Sequence, residues 1–415
     1  MAGAADAASV SHAVADYEAD YEPLTAEMQF TVGGSSRAAC GKGLFCGSEA
    51  LVPAVDLLEE VPLVSWPVPA TAVAADDHER VYCDACLCVF PPLSSIAVRC
   101  TSHASCGARF CSSDCAASAM HPALCGGALP ALRAWQTETA SESEYGAEAL
   151  ARCNARIAAS LVLYASRFDL EPAAALANAL RPWERLCGLP PDCELALQGG
   201  ASAEVLSHVL RVHTLDGLVA LLGTALPPDD CHAVADQLLD PLHIEGLTQR
   251  LLLNSFQWQH ASGRRFGGVF VLMSCANHDC APDLEVRTTW SRVTDGDEGG
   301  DGSGDGERPA DVGRSGGEGG GGGDGNGGGG GNGGGGGDDG RECCSVMLRT
   351  LRGVSPGAEL RLSYVDVSMG LEQRRTRLAH WGFHCVCARC TSEEEDLEEE
   401  EEKAGARHGA KRRRT

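Results

Sequence analysis

Between residues 83 and 125 the chain carries Cys83, Cys86, Cys100, His103, Cys106, Cys111, Cys115, His121 and Cys125, nine metal-compatible side chains in about forty residues. No other feature constrains the fold as strongly. Zinc asks for four thiolate or imidazole ligands in a tetrahedron, and short Cys-x-x-Cys turns deliver such ligands in pairs. The segment holds enough ligands for two ions. An interleaved arrangement puts Cys83, Cys86, Cys111 and Cys115 on one ion. Cys106, His121 and Cys125 hold the other, with Cys100 or His103 as its fourth ligand. Cys88 is read as a bystander. A set of unligated buried thiols does not account for so many ligand types at such spacings.

The chain has 21 cysteines in all, which fits either a disulfide scaffold or an intracellular thiol and zinc inventory. The opening "MAGAADAASVSHAVADYEADYE" has neither a basic stretch nor an apolar core of the secretory kind, and no long apolar run reads as a membrane span. The expectation is therefore a reducing compartment, nucleus or cytoplasm, with no secretion and no membrane partner. The terminal "KRRR" (Lys411 to Arg414) is too short to count as an import signal.

A second cysteine group, "FHCVCARC", gives Cys385, Cys387 and Cys390, one thiolate short of a closed site. "SCANHDCAPDLE" (274 to 285) follows the apolar run "GGVFVLM" and offers Cys280 as the missing fourth ligand. That pairing joins segments about a hundred residues apart.

At 415 residues and 44% hydrophobic composition, two or three domains can be built. Residues 1–27 are expected to be disordered. Residues 28–68 read as short strands broken by glycine turns. Beyond the cysteine-dense segment, 128–260 turns Ala/Leu-rich, and Leu150, Cys153, Ile157, Leu161 and Tyr164 recur at helical spacing. His208, His213, His232 and His243 there read as core or surface histidines. Strand character returns over 261–382, interrupted at 295–340 by a Gly/Asp-rich tract that cannot bury enough apolar surface to fold. Closure entropy grows slowly with loop length, so strands on either side of that tract can still pair. Residues 391–415 read as an acidic, then basic, disordered tail; "EEEDLEEEEE" alone contributes nine acids to a net charge of −25.

Taken in order, these motifs resemble the SET-and-MYND family of protein lysine methyltransferases. The resemblance runs over most of residues 28 to 402. It rests on "GKGLF" (Gly41 to Phe45), the finger of residues 83–125, "SCANHDCAPD", "GAELRLSYVD", the Cys-x-Cys-x-x-Cys segment and a glutamate-rich tail. The resemblance implies an α+β fold, a β-rich SET domain with a pseudoknot, interrupted by a MYND-type zinc finger and a helical insert and closed by a zinc-bound post-SET segment at 383–390. The chain leaves no room for the large C-terminal helical domain of other members.

The implied cofactors are S-adenosylmethionine and three zinc ions, two in the finger and one post-SET. By resemblance, Lys42, Gly43, Leu44, Asn277, His278, Tyr364 and Phe383 meet the cofactor, and Tyr364 is catalytic, its hydroxyl facing a channel for the target lysine. Methyl transfer is an in-line displacement at a sulfonium methyl, so the enzyme works mainly by positioning and electrostatics. Desolvation in a narrow apolar channel lowers the lysine pKa.

Three positions depart from the family pattern. Asp279 and Asp283 stand where relatives have Ser and Asn and add negative charge near the cofactor; Trp381 stands where a second channel tyrosine is common. The competing reading is a catalytically weak scaffold, with the finger binding peptide motifs and the tail binding basic partners. A thiol oxidoreductase built on Cys83 and Cys86 lacks the surrounding βαβ pattern. The expected substrate is a basic protein, histone or ribosomal, drawn to an acidic enzyme; no basic stripe points to direct nucleic-acid contact.

Overall fold

The computed structural model describes residues 21–35, 41–68, 81–90, 98–139, 146–188, 202–260, 263–293 and 341–412. The Gly/Asp-rich tract at 295–340 lies outside them, as does residues 1–20. After a helical turn at residues 21–25 come four strands, β1 (Phe30–Gly34), β2 (Lys42–Cys46), β3 (Asp56–Glu60) and β4 (Val64–Pro67). The cysteine-dense segment contributes β5 (Val81–Tyr82), β6 (Val89–Phe90), β7 (Val98–Arg99) and β8 (Arg109–Phe110), followed by two single-turn helices, α1 (Ser113–Ala116) and α2 (His121–Leu124). Helices α3 (Ala128–Glu138), α4 (Ala147–Phe168), α5 (Pro172–Glu184), α6 (Ala203–Leu222), α7 (Pro228–Leu238) and α8 (Pro241–Asn254) come next. The chain then returns to strands β9 (Ser255–Gln259), β10 (Arg265–Val269), β11 (Asn277–His278), β12 (Leu284–Val293), β13 (Arg341–Thr350) and β14 (Glu359–Leu362), and ends in α9 (Leu371–Leu378) and α10 (Ala388–Arg412). The architecture is mixed helix and sheet.

The large sheet runs β1-β2-β14-β12-β13-β6-β5, with β11 on β14 and β3 on β13. β12 and β13 pair antiparallel from Leu284 opposite Thr350 to Val293 opposite Arg341, so the strands flanking the Gly/Asp-rich tract do meet. β11 lies parallel to β14, Asn277 beside Arg361 and His278 beside Leu362. β2 runs antiparallel on the other side of β14, Leu44 opposite Leu360. Three segments far apart in sequence thus converge at one point, which is where the candidate site forms.

Helix α4 carries the helical block. Leu150, Cys153, Ile157 and Leu161, spaced three or four apart, are all fully buried, and Tyr164 packs at the edge of the same cluster. Burying each large apolar side chain stabilises by about 1.5–3 kcal/mol. Helix α6 is long and apolar enough, by length and composition, to cross a membrane. One face of it lines the core, with Leu206, Leu210, Leu218, Leu221 and Leu222 buried in the bundle, while Val205 and Val212 are exposed. A Cβ at Gly217 would lie 2.6 Å from the Ala123 carbonyl oxygen, so α6 packs against α2 only because that residue has no side chain.

The cysteine-dense segment is fastened to the helices through Asp84. Its carboxylate accepts from the Arg109 amide at 3.0 Å and from Arg133 Nη2 at 2.9 Å, and its carbonyl accepts from Arg152 Nη1 at 2.7 Å. Glu148 bridges the same two arginines, to Arg133 Nε at 2.7 Å and to Arg152 Nη2 at 2.9 Å. Arg152 and Glu148 are buried, so the centre of this network holds charge away from water, while Arg133 at its edge is partly exposed.

Three boundaries differ from the sequence expectation. Order begins before residue 28: residues 21–25 form a helical turn, and Tyr21 packs fully buried into the core of the sheet, where its hydroxyl accepts from Lys42 Nζ at 2.9 Å. The helical block ends at Asn254, since Ser255–Gln259 pairs with β10 rather than extending α8. The acidic tail is helical from Ala388 to Arg412. Glutamate is a good helix former, and Arg374 and Arg375 of α9 neutralise Glu393 and Glu394, at 2.7 and 2.8 Å.

Candidate metal centres and candidate active site

Three sets of four ligand atoms form, the members of each lying within 4.8 Å of one another: Cys83, Cys86, Cys111 and Cys115; Cys100, Cys106, His121 and Cys125; and Cys280, Cys385, Cys387 and Cys390. The cysteines of these three sets are free thiols. In the first set, the turn between β5 and β6 closes with Leu87 N–H donating to the Cys83 carbonyl, which turns both sulfurs the same way. Cys115 arrives on α1, whose first turn is capped by Ser112 Oγ accepting from the Cys115 amide at 3.1 Å. Cys86 and Cys115 each lie 3.5 Å from the Cys111 sulfur. In the second set Cys100 Sγ is 3.5 Å from Cys125 Sγ and 3.2 Å from His121 Nε2. In the third, Cys280 Sγ is 3.4 Å from Cys390 Sγ and 4.0 Å from Cys385 Sγ.

Zinc–sulfur bonds of about 2.3 Å in a tetrahedron place sulfurs about 3.8 Å apart. The observed sulfur separations of 3.4 to 4.0 Å lie close to that value, so each set can hold a zinc ion. Hydrogen bonds from His121 and neighbouring amides outweigh desolvation at Cys100 and bring its thiol down to about 6. Burial pushes Cys280 the other way, up to about 12, so a cation is what would favour its thiolate. Of the two alternatives for the fourth ligand of the second set, Cys100 joins it. β7 and β8 pair, and the Cys100 amide donates to the Ala108 carbonyl, which brings Cys100 in beside Cys125. His103 stays outside on an exposed turn and offers its carbonyl to the Cys106 amide. Cys88 is buried and belongs to neither set.

The second constellation lies where β2, β11 and β14 converge. Asn277 Nδ2 donates to the Lys42 carbonyl and to Glu359 Oε1, both at 2.8 Å, and Ser35 Oγ donates to the same Glu359 oxygen at 2.8 Å. Gly43 faces this group; a Cβ there would stand 2.6 Å from Glu359 Oε1 and 3.2 Å from Asn277 Nδ2. Leu44, the next residue, is buried in the core. The Lys42 side chain does not point here: its ammonium is buried against Tyr21 and the Arg185 carbonyl, so Lys42 contributes only backbone.

Tyr364 follows β14. Its hydroxyl donates to the Ala276 carbonyl at 2.9 Å, and its backbone amide donates to His278 Nδ1 at 3.1 Å. Because Nδ1 accepts, Nε2 carries the proton and points at Cys280 Sγ, 3.3 Å away. The Tyr364 ring lies 5.4 Å from His278, 5.6 Å from Trp381 and 6.3 Å from Phe383, centroid to centroid, and Phe383 is 5.9 Å from His278. One histidine therefore touches the tyrosine, the aromatic of the cysteine-rich segment and a ligand of the third set.

The negative charges expected at Asp279 and Asp283 are compensated. Asp279 pairs with Arg361 at 3.3 Å; Asp283 pairs with Arg352 at 2.7 Å and accepts from the Arg361 amide at 3.2 Å. Arg361 also holds the far oxygen of Glu359 at 3.2 Å. Sequence reasoning missed Glu359, Arg361 and Ser35. The signal available was a glutamate and an arginine inside the short strand "ELRL".

Over 46 residues the chain is 54% identical to the Histone-lysine N-methyltransferase ATXR4 of Arabidopsis thaliana, a match covering 11% of this chain and 14% of that protein. No family model matches the chain. The chain thus spans about a seventh of the length of the relative it matches, and over that stretch it is similar to a histone-lysine methyltransferase.

Proposed function

We propose that the chain is a protein-lysine N-methyltransferase of the SET-and-MYND type, with residues 28–68 and 261–382 as the two parts of a SET domain, 83–125 as a MYND-type finger, the helical block as an insert and 383–390 as a post-SET zinc segment. The observation that carries the reading is the convergence of Gly43, Asn277, His278, Tyr364 and Phe383 beside the Cys280 thiol set.

These residues fit S-adenosylmethionine: a backbone without Cβ at Gly43, a buried amide at Asn277 and the aromatic faces of Phe383 and His278 suit a ligand with an amino-acid end and a flat base. When bound, that cofactor supplies an activated sulfonium methyl group. Asn277 and the Lys42–Leu44 backbone would hold its amino-acid end, and Phe383 its base. Tyr364 is the catalytic residue, its hydroxyl fixed by the Ala276 carbonyl and its ring walled by His278, Trp381 and Phe383. Aromatic walls lower the pKa of an entering lysine ammonium by desolvation, and the displaced proton leaves to water.

The substrate class is basic protein, histone or ribosomal, for which a net charge of −25 supplies long-range attraction, in the nucleus or cytoplasm. The finger is assigned to a peptide partner and not to nucleic acid. A scaffold that binds without transferring is the competing reading, favoured by Trp381, which brings no second hydroxyl beside Tyr364. Incubation with labelled S-adenosylmethionine and a mixture of histones and ribosomal proteins, followed by mass spectrometry of the labelled lysine, separates the two. Cofactor binding without label on any protein would favour the scaffold.

A further inference from the structure

Arg374 of α9 is fully buried. Its Nη2 donates to Cys390 Sγ at 3.5 Å and to Glu393 Oε2 at 2.7 Å, its Nη1 donates to the Met369 carbonyl at 2.6 Å, and its Nε is buried without a hydrogen-bond partner. Taking a guanidinium out of water is costly unless a strong negative charge stands beside it. Glu393 alone is a weak reason, since its carboxylate is one-third exposed and can be solvated by water instead.

The charge of the thiol set supplies the reason. Four thiolates around a dication leave two negative charges. In the finger the first set carries the same excess and the second, three thiolates and a histidine, carries one charge; Cys83, Cys106 and Cys111 are buried there, but Cys86 is exposed and Cys100, Cys115, His121 and Cys125 are half-buried, so water reaches part of each set. In the third set every sulfur belongs to a residue no more than 2% exposed. Its charge can be met only by internal donors: backbone amides reach Cys385 and Cys387, and the side-chain donors are His278 Nε2 on Cys280 and Arg374, the one full cation among them, on Cys390 and Cys280.

We infer that Arg374 is the positioning residue that compensates the charge of the Cys280–Cys385–Cys387–Cys390 centre, so that retention of its ion depends on a guanidinium from α9 while the two finger ions need none. The inference rests on the zinc reading of this thiol set. It also gives the contact between α9 and the first turn of α10 a role beyond packing, since Glu393 and the Met369 carbonyl hold the guanidinium at the sulfur.

The test uses the full-length zinc-loaded chain. Zinc per chain is measured by plasma emission, and release into excess chromophoric chelator is followed for wild type, Arg374→Met and Arg374→Lys. Outer-shell partners are worth about 10- to 100-fold in metal affinity. Arg374→Met is expected to release one of three ions at least about ten-fold faster, with the other two at wild-type rates, and Arg374→Lys, which keeps charge and loses the fork, is expected to fall between. Unchanged release of all three ions from Arg374→Met overturns the inference, as does equal acceleration of all three with a lowered melting temperature, which marks a general fold defect. Should Arg374→Met fail to fold, Arg374→Lys decides alone: faster loss of one ion supports the inference and wild-type kinetics refute it. A wild-type chain that binds only the two finger ions removes the zinc reading, and the inference with it.

Discussion

The sulfur of Cys280 lies 3.4 Å from that of Cys390, although 110 residues separate them. This contact draws the start of α10 onto the loop after β11, and as two thiolates the pair needs a cation to share. Zinc here would do two things at once. It would close the C-terminal segment over the sheet, and it would hold Phe383 against His278. Cys280→Ser is expected to lose one zinc equivalent of three and to weaken cofactor binding at least ten-fold, by plasma emission and calorimetry. Full zinc content in that variant would show that the third set is not a metal centre.

Tyr364 is placed through its hydroxyl and its amide, and only the first is removed by Tyr364→Phe. The ring still packs on Trp381 and Phe383, so the melting temperature should move by no more than a few degrees. Methyl transfer should fall by at least about 100-fold, the scale at which loss of one preorganised polar group is felt. Transfer at the wild-type rate would take Tyr364 out of the chemistry.

The cysteine sets were legible because coordination dictates residue type and short spacing together, and few other demands do. The choice between Cys100 and His103 was not, because both lie near Cys106 in sequence and only the pairing of β7 with β8 brings one of them to Cys125. The compensation of Asp279 and Asp283 was equally hidden, since Arg361 and Arg352 enter from β14 and from the turn after β13, roughly 70 to 80 residues on. The helical start of the acidic tail is hidden from the sequence for a different reason. Charge repulsion argued for a solvated chain, and the arginines of α9 that absorb its first glutamates are visible only after folding. β9 was absorbed into the helical block because "SFQWQ" follows α8 without a break signal.

The Asp84 network predicts how the finger and the helices depend on each other. Burial alone would push the Glu148 carboxyl up, and Arg152 and Arg133 more than reverse it, so the group stays ionised when folded. Arg152→Met leaves a buried carboxylate with half its compensation, at a cost of about 3 kcal/mol in urea unfolding. Adding Glu148→Gln removes the stranded charge and should restore part of that loss. A double variant no more stable than Arg152→Met would show that the network is not electrostatically coupled.

Stability should also depend on pH through His243 in a window set by its burial. Desolvation, aided by nearby Arg250, brings its imidazole down to about 4, from an ordinary value of 6.5. His243 Nε2 lies 3.1 Å from Asn154 Oδ1, whose Nδ2 donates to the Leu238 carbonyl, so a neutral ring with its proton on Nε2 fits the site. The folded pKa is the lower one. Above pH 6.5 neither state binds the proton, and the stabilisation from the neutral ring is fully present. As pH falls from 6.5 towards 4 the unfolded chain takes up a proton that the folded chain refuses, so stability drops with a slope of at most about 1.4 kcal/mol per pH unit. Below about 4 both states bind it and this contribution levels off. His243→Gln keeps an N–H donor for Asn154 and has no such titration. In urea titrations at saturating zinc, wild type minus His243→Gln should therefore show a difference that is constant near neutrality and shrinks between pH 6.5 and 5. A difference that stays flat across that range would mean that the ring is protonated as readily folded as unfolded, and that α4 and α8 do not shut water away from it.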